Sequence, residues 1–319
     1  MLFLCCDGAT SNRKLFSLHG PSNELTYKTR NPYSDDRYIY FISDPPHLLK
    51  TARNCFSNSF SHARSRMMWN KKHISWMHVV NFFEKYCENP CFILNHKLSR
   101  SHIDLNSFSK MNVNLAAQVM SKTVSDALSE FMGDEASETA KFIRLINDWF
   151  DTMNTKSFDQ AICKRNDFLK PYCDVNDMRL DWLENTFLKY FDDWKLNVEN
   201  REGNFTAKQK SCMQLSHQTI KGFRITTLSI IECVKVLLNC GANFVLTGHF
   251  NQDPLEQLFG HIRHKSGANV NPTVFEAGHS LNTLRVVNCQ AIAPKRGNTL
   301  IDENVVIDDT PLPKRPRNY

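Results

Sequence analysis

Glycine is scarce in this chain of 319 residues, with 11 in all. That scarcity argues for long helices over a sheet-and-turn architecture, because tight turns lean on glycine for left-handed backbone. Long apolar runs are missing too. No stretch approaches the roughly 18 consecutive apolar residues of a membrane span, and mean hydropathy is −0.42. The opening Met1-Leu2-Phe3-Leu4-Cys5-Cys6 meets Asp7 too soon for a secretory leader and has no basic flank. Neither membrane insertion nor secretion is expected. A GxxxxGK[ST] phosphate loop is also missing, which excludes a P-loop nucleotide site.

What is plentiful supports the helical reading. Phenylalanine reaches 22 residues, enough for aromatic stripes along several helices. The net charge of +6 is modest; it is compatible with nucleic acid and does not demand it. Eleven cysteines are odd in number and scattered through apolar runs, so they read as reduced core thiols. Cys87 and Cys91, with His96 and His102 downstream, have the one metal-like spacing. Zinc sites prefer two such pairs, and two half-buried thiols near a helix end is the simpler reading.

Along the chain, Leu2 to Cys6 and Tyr38 to Ile42 are short apolar runs closed by aspartate and by glycine or proline, the pattern of buried strands. Each delivers an aspartate, Asp7 or Asp44, to a strand's C-terminal end, where α/β sheets place their chemistry. Thr10 to His19 reads as a helix and Gly20 to Asp36 as a polar loop. From His47 the period turns helical. Stripes run through Leu48, Leu49, Ala52, Cys55 and Phe56, then through Trp76, Val79, Val80, Phe83 and Cys87. A third joins Val113, Ala116, Ala117, Met120, Val124 and Leu128. A fourth joins Phe142 to Met153, with Ser137 as its cap, and Leu183, Phe187, Phe191 and Trp194 continue the theme. Asn197 to Lys210 reads as a loop, Ser216 to Leu238 as a long helix closed by Asn239 and Gly241. Phe244 to Thr247 reads as a short strand, and Pro254 opens a helix to about His264.

Two places offer chemistry. Asp7, ending a strand, either caps the next helix or presents a hard oxygen to Mg²⁺ or Mn²⁺. Asp253 and Glu256, three apart at a helix start, either answer the helix dipole or face a ligand together. Asp151 and Asn154 are on their own an ordinary helix end.

Five motifs in series shift that balance. They are Asp7-Gly8-Ala9 with Asn12-Arg13; Asp44-Pro45-Pro46-His47-Leu48-Leu49-Lys50 with Arg53-Asn54; Lys110 to Val119; Phe150-Asp151-Thr152-Met153-Asn154; and Gln252-Asp253-Pro254-Leu255-Glu256. In this order, from Met1 to about Asn288, the chain resembles the P-element-type DNA transposases, including the THAP-domain-containing members. The resemblance implies an α/β, helix-rich chain: a partial RNase H-like catalytic fold interrupted by a large α-helical GTP-binding insertion. Residues 1–46 are then the fourth and fifth strands, 47–215 the insertion, 216–293 the C-terminal catalytic part, and 294–319 a disordered basic tail.

Such enzymes cut and join DNA with three acidic residues that hold divalent metals. By motif, Asp7 matches the second acidic residue and Glu256 the third, both as catalytic and metal-binding groups for Mg²⁺ or Mn²⁺, with Asp44 and His47 as neighbours. The insertion implies GTP. Guanine's N1–H and N2–H₂ suit a carboxylate, and its O6 and N7 suit a donor, roles that fall to Asp151 and Asn154. Lys97 and Lys110 would meet phosphates or the base edge, and Asp253 would approach from the catalytic side. The motif carrying the first acidic residue has no counterpart here. The expectation is an N-terminally incomplete or repurposed copy that does not transpose DNA by itself, since the metals act as a unit. The alternative is a non-catalytic GTP- and DNA-binding module that antagonises a full-length relative. Expected partners are transposon-end DNA, GTP, and a second copy or a full-length transposase. A nuclear location is expected from the DNA substrate and the Lys314-Arg315-Pro316-Arg317 cluster. The central spatial expectation is that Asp7 and Glu256 share a divalent ion.

Overall fold

Two runs that the sequence marks as strands form the core of a small sheet. The computed structural model describes residues 2–21, 24–34, 36–59, 66–87, 98–265 and 271–287. It places β1 at Phe3–Cys6, α1 at Thr10–Leu18, β2 at Lys28–Arg30 and β3 at Tyr38–Ser43. β1 and β3 pair in parallel from Phe3↔Tyr40 to Cys6↔Ser43, while β2 pairs antiparallel to the other edge of β3, giving the order β1-β3-β2. β2 lies inside the segment expected to be loop. Its Lys-Thr-Arg sequence has no apolar alternation, so the pairing edge of β3 makes it a strand and its own pattern does not.

After β3 the chain is helical. α2 (Pro45–Ser57) starts on Asp44, whose Oδ2 accepts from the His47 N–H at 2.9 Å. A hairpin of β4 (Trp69–Asn70) and β5 (Lys72–His73) leads to α3 (Trp76–Phe82), which runs on through a π-helical turn, Phe83–Cys87. α4 (Arg100–Ile103), α5 (Ser107–Met111), α6 (Val113–Val119) and α7 (Lys122–Phe131) follow. The single stripe from Val113 to Leu128 is thus two helices. Ser121 restarts the second by accepting from the Val124 N–H at 3.3 Å. α8 (Ser137–Met153) emerges from a 3₁₀ turn, Gly133–Ala136. Ser137 does not cap it; its hydroxyl donates to the Asp134 carbonyl at 2.7 Å.

α9 (Asp159–Lys164), α10 (Met178–Trp182) and α11 (Lys189–Glu199) come next, the last two joined by a π-helical turn, Leu183–Leu188. α12 (Ala207–Cys212) occupies part of the expected 197–210 loop, started by a capping box between Thr206 and Gln209. α13 (His217–Asn239) is capped by Ser216, which accepts from the Thr219 N–H at 3.1 Å, and is closed at Gly241 with φ 96°. The expected strand at 244–247 is one bridge between Val245 and Tyr172, then a 3₁₀ turn, Thr247–His249.

The phenylalanines do what their number suggests. Trp149 of α8 meets Phe223 of α13 edge-on, 4.6 Å between ring centroids, and stacks on Phe187 at 5.5 Å. Its indole N–H donates to Thr227 Oγ1 at 2.9 Å, so the buried polar atom is satisfied. α13 also covers the sheet. Thr226 Oγ1 accepts from the Ser43 N–H at 2.9 Å and donates to the Ser43 carbonyl at 2.7 Å, and Glu232 pairs with Lys28 at 2.7 Å. One long helix therefore fixes the sheet and the aromatic core to each other. No described helix is long and apolar enough to cross a membrane.

Residues 1–251 form one compact unit and 252–319 another. The second contains α14 (Asp253–Lys265) and α15 (Val274–Val287). The expected tail, 294–319, lies outside the described residues.

Candidate functional site

Parallel pairing carries β1 and β3 to the same rim, so Asp7 and Asp44 end neighbouring strands, and the Asp44 N–H donates to the Cys6 carbonyl at 2.9 Å. Asp44 is spent on the start of α2. Asp7 is half-buried, and its Oδ1 accepts from the Ala9 N–H at 2.9 Å and from the Asn12 amide at 2.7 Å. Oδ2 accepts no bond among the described residues. The Ala9 N–H chiefly, with Asn12, His47 and Lys50 behind it, holds the carboxyl below its ordinary range. Asp7 thus does part of what a helix cap does while keeping one ionised, hard oxygen open. That donor fits Mg²⁺ or Mn²⁺.

The second place is the end of α8. Asp151 Oδ2 accepts from the Asn147 amide at 3.0 Å and from the Asn166 amide at 2.7 Å. Burial outweighs those bonds and pushes the carboxyl up to about 6. Oδ1 accepts nothing among the described residues. Asn154 ends the helix, its N–H donating to the Asp151 carbonyl at 3.3 Å, and its Oδ1 is buried without a partner. Two acceptor oxygens are therefore left open at one helix end. They suit the N1–H and N2–H₂ of guanine, and the orphaned oxygen is what a missing ligand leaves behind. The expectation gave Asn154 the donor's role, and the same amide also carries the orphaned acceptor. Asn166, fifteen residues beyond Asp151 in a loop, carries no sequence signal for its part here.

Lys110 is exposed on α5. The Arg53-Asn54 pair of α2 explains itself at this point. Arg53, 0% exposed, donates through Nη2 to the Ser109 carbonyl at 2.8 Å and the Lys110 carbonyl at 3.3 Å, and Asn54 donates to Lys110's carbonyl at 3.1 Å. A cation at the C-terminal end of a helix satisfies orphan carbonyls, so the pair positions the backbone that carries Lys110. Lys97 lies outside the described residues, as do Cys91 and His96. His102 uses both ring nitrogens, with Ser99 at 3.0 Å and Gln118 at 2.6 Å. Cys87 is half-buried at the end of the π-helical turn. Among the described residues no group of three or more His, Cys, Asp or Glu side chains is placed to hold a metal.

In the second unit, Asp253 is the first residue of α14 and Glu256 lies in its first turn, the Glu256 N–H donating to the Gln252 carbonyl at 2.9 Å. The acidic pair therefore sits where a helix N-terminus favours negative charge.

Comparison with known proteins assigns this combination to a class. Residues 46–166 match the TNP-like GTP-binding insertion domain, and residues 249–276 match the TNP-like RNase H C-terminal domain. The fold is accordingly helix-rich with a small mixed sheet, a partial RNase H-like arrangement interrupted by a GTP-binding insertion. More particularly, the chain is a homologue of the P element transposase. It is 27% identical over 281 residues to the Transposable element P transposase of Drosophila melanogaster, covering 86% of this chain and 34% of that protein. It also resembles the solved Drosophila P element transposase strand transfer complex, with TM-score 0.71 and 25% identity over 90% of this chain and 60% of that one. The chain thus spans about a third of the curated relative's length. Asp151, Asn154, Lys110 and Asn166 fall within the matched insertion domain, and Asp253 and Glu256 within the matched RNase H part.

Proposed function

We propose that this chain is the GTP-binding part and a share of the catalytic part of a cut-and-paste DNA transposase. The observation that carries the reading is the order of parts. A strand-end aspartate precedes a matched GTP-binding domain, and a helix with Asp253 and Glu256 follows it. In the proposed division residues 47–215 are the insertion, inserted between 1–46 and 216–293. Two divalent ions, when bound, activate the attacking oxygen of a DNA strand-transfer reaction and stabilise the leaving one. Asp7 would hold such an ion through Oδ2, and Glu256 is the other proposed metal-binding carboxylate. Asp151 Oδ1 and Asn154 Oδ1 would accept guanine's N–H groups, and Lys110 and Lys97 would meet phosphates. Transposon-end DNA is the proposed substrate, in the nucleus, with a second copy or a longer relative as protein partner.

A fluorescent GTP titration tests the nucleotide half. Saturable binding by the wild type, lost in Asp151→Ala, is expected; no binding by the wild type would sink it. Two of the three acidic residues of such a site are assigned within these 319 residues, so the chain alone is proposed to bind and not to turn over. Strand transfer by the isolated chain with Mg²⁺ and terminal-repeat DNA would refute that part.

A further inference from the structure

α2 has two faces, and the fold buries one of them. Leu48, Leu49, Ala52 and Phe56 point into the core. The other face carries His47, Thr51, Asn54 and, at the cap, Asn58, spaced i, i+4, i+7, i+11, so these four make one polar stripe. Opposite it lies the first turn of α13. The two helices approach closely because Gly222 has no side chain: a Cβ there would come 2.6 Å from Leu48 Cδ2. Between them are two cavities of about 260 and 370 Å³, which share Thr51, Ser216 and Thr219 and so form one trough.

The charge of this trough is one-sided. Arg13 and Lys221 line the first cavity and Arg66 the second, and no aspartate or glutamate lines either. Arg13 donates to the Gly8 carbonyl and to Thr10 Oγ1, and Arg66 to the Gln214 carbonyl at 2.7 Å, so both guanidiniums are held in place by neutral groups. Lys221 makes no ion pair among the described residues. The N-terminus of the 23-residue α13 adds its partial positive charge at the same edge. Gly8, next to Asp7, is at one end, with the His47 ring 3.0 Å from where its Cβ would be. Cations gathered without anions around a cleft await an anion. The stripe from His47 to Asn58 is roughly 16 Å long, the rise of about four to five nucleotides of one duplex strand.

We infer that the trough between α2 and the start of α13 is a binding site for the sugar-phosphate backbone of a DNA strand, with Arg13 and Lys221 on phosphates beside Asp7 and Arg66 on a phosphate further along. This rests on the reading of DNA as substrate and adds where and how the strand is held. The Asn58 amide serves as a neutral donor to a phosphate oxygen, a contact that fixes position and carries no sequence information.

The test uses the full chain, a random-sequence fluorescent DNA duplex and anisotropy across a salt series. Lys221→Ala is expected to weaken binding about 3- to 10-fold and to reduce the salt slope by about 1. The double reversal Lys221→Glu with Arg66→Glu should lose more than about 30-fold. Lys235→Glu, a single charge reversal on an exposed residue of α13 away from the trough, should stay near wild type. GTP titration of every variant runs in parallel. DNA affinity and slope unchanged in the double reversal would overturn the proposal, as would an equal loss in Lys235→Glu, or a loss of GTP binding in place of DNA binding, which would make the anion a nucleotide triphosphate. Wild-type protein that binds GTP but no DNA would also overturn it while leaving the nucleotide reading intact.

Discussion

Asp7 and Asp151 are the same side chain with nearly the same hydrogen bonds and opposite electrostatic fates. Each accepts two N–H groups on one oxygen, at 2.9 and 2.7 Å for Asp7 and at 3.0 and 2.7 Å for Asp151, and each leaves the other oxygen open. Asp7 is held below the ordinary carboxylate range, the Ala9 N–H contributing most. Asp151 is pushed up to about 6, burial contributing most. Two hydrogen bonds are therefore insufficient to decide ionisation; access to water decides it. A rim carboxylate that stays charged suits a hard divalent ion. A buried carboxylate near neutrality gains most from a ligand that brings paired N–H donors, because they replace the water it has lost.

The largest effect that tests this contrast is on GTP affinity. Asp151→Ala removes the charge-assisted bond from the base to Oδ1 and should weaken GTP binding about 10- to 100-fold at pH 8. Asp7→Ala, changed at the other carboxylate, should leave GTP affinity within about threefold. Equal losses in both would erase the distinction. Next comes pH. The ionised form of Asp151 is the better acceptor, so GTP affinity should hold from pH 8 to 7 and fall about tenfold per unit below about 6. A flat profile in wild-type titrations between pH 8 and 5 would mean that Asp151 does not receive the base.

Stability gives a smaller effect with a definite sign. A carboxyl whose folded pKa lies above its ordinary 3.8 contributes stability that is fully present below 3.8 and is lost as pH rises through about 6. Asp151→Asn keeps the acceptor oxygen and removes the charge, so it should be more stable than wild type at pH 7.5 by about 1–3 kcal/mol. The difference should vanish near pH 4. Urea midpoints at the two pH values read it. The variant should gain stability while losing GTP, the trade expected of a functional strain and not of a structural cap.

How much of this was legible depended on whether a residue's role was local. The two strands, α2, α8 and α13 announced themselves through period, and both strand-end aspartates followed from the strands. β2 was hidden because its pairing lies in the edge of β3. The α6–α7 break was hidden because Ser121 interrupts the helix without interrupting the apolar period. Asp151 and Asn154 were visible only as part of a motif in series. What tunes Asp151 was not visible at all. Asn147 sits one turn before it and reads as an ordinary helical residue, and Asn166 reaches it from a loop past the left-handed Arg165 with φ 48°. No spacing rule links positions 151 and 166.

Asn166 therefore supplies the finest test of the contrast. Its Nδ2 donates to Asp151 Oδ2, which favours the ionised carboxylate, and its Oδ1 accepts from the Phe168 N–H at 3.1 Å, which starts the 3₁₀ turn Asp167–Leu169. Truncation to alanine removes both functions, with a loss of about 1 kcal/mol in stability from the cap alone. Asn166→Asp separates them. It keeps the acceptor for Phe168, removes the donor and sets a second carboxylate against Asp151. If the loop only packs, the aspartate variant should behave as wild type. If Asn166 positions the charge, the pH midpoint of GTP binding should move upward in Asn166→Ala and further upward in Asn166→Asp. At pH 8.5 the alanine variant should return to within about threefold of wild type, because enough ionised carboxylate is then present without help. An affinity loss independent of pH would instead assign Asn166 to the ligand directly.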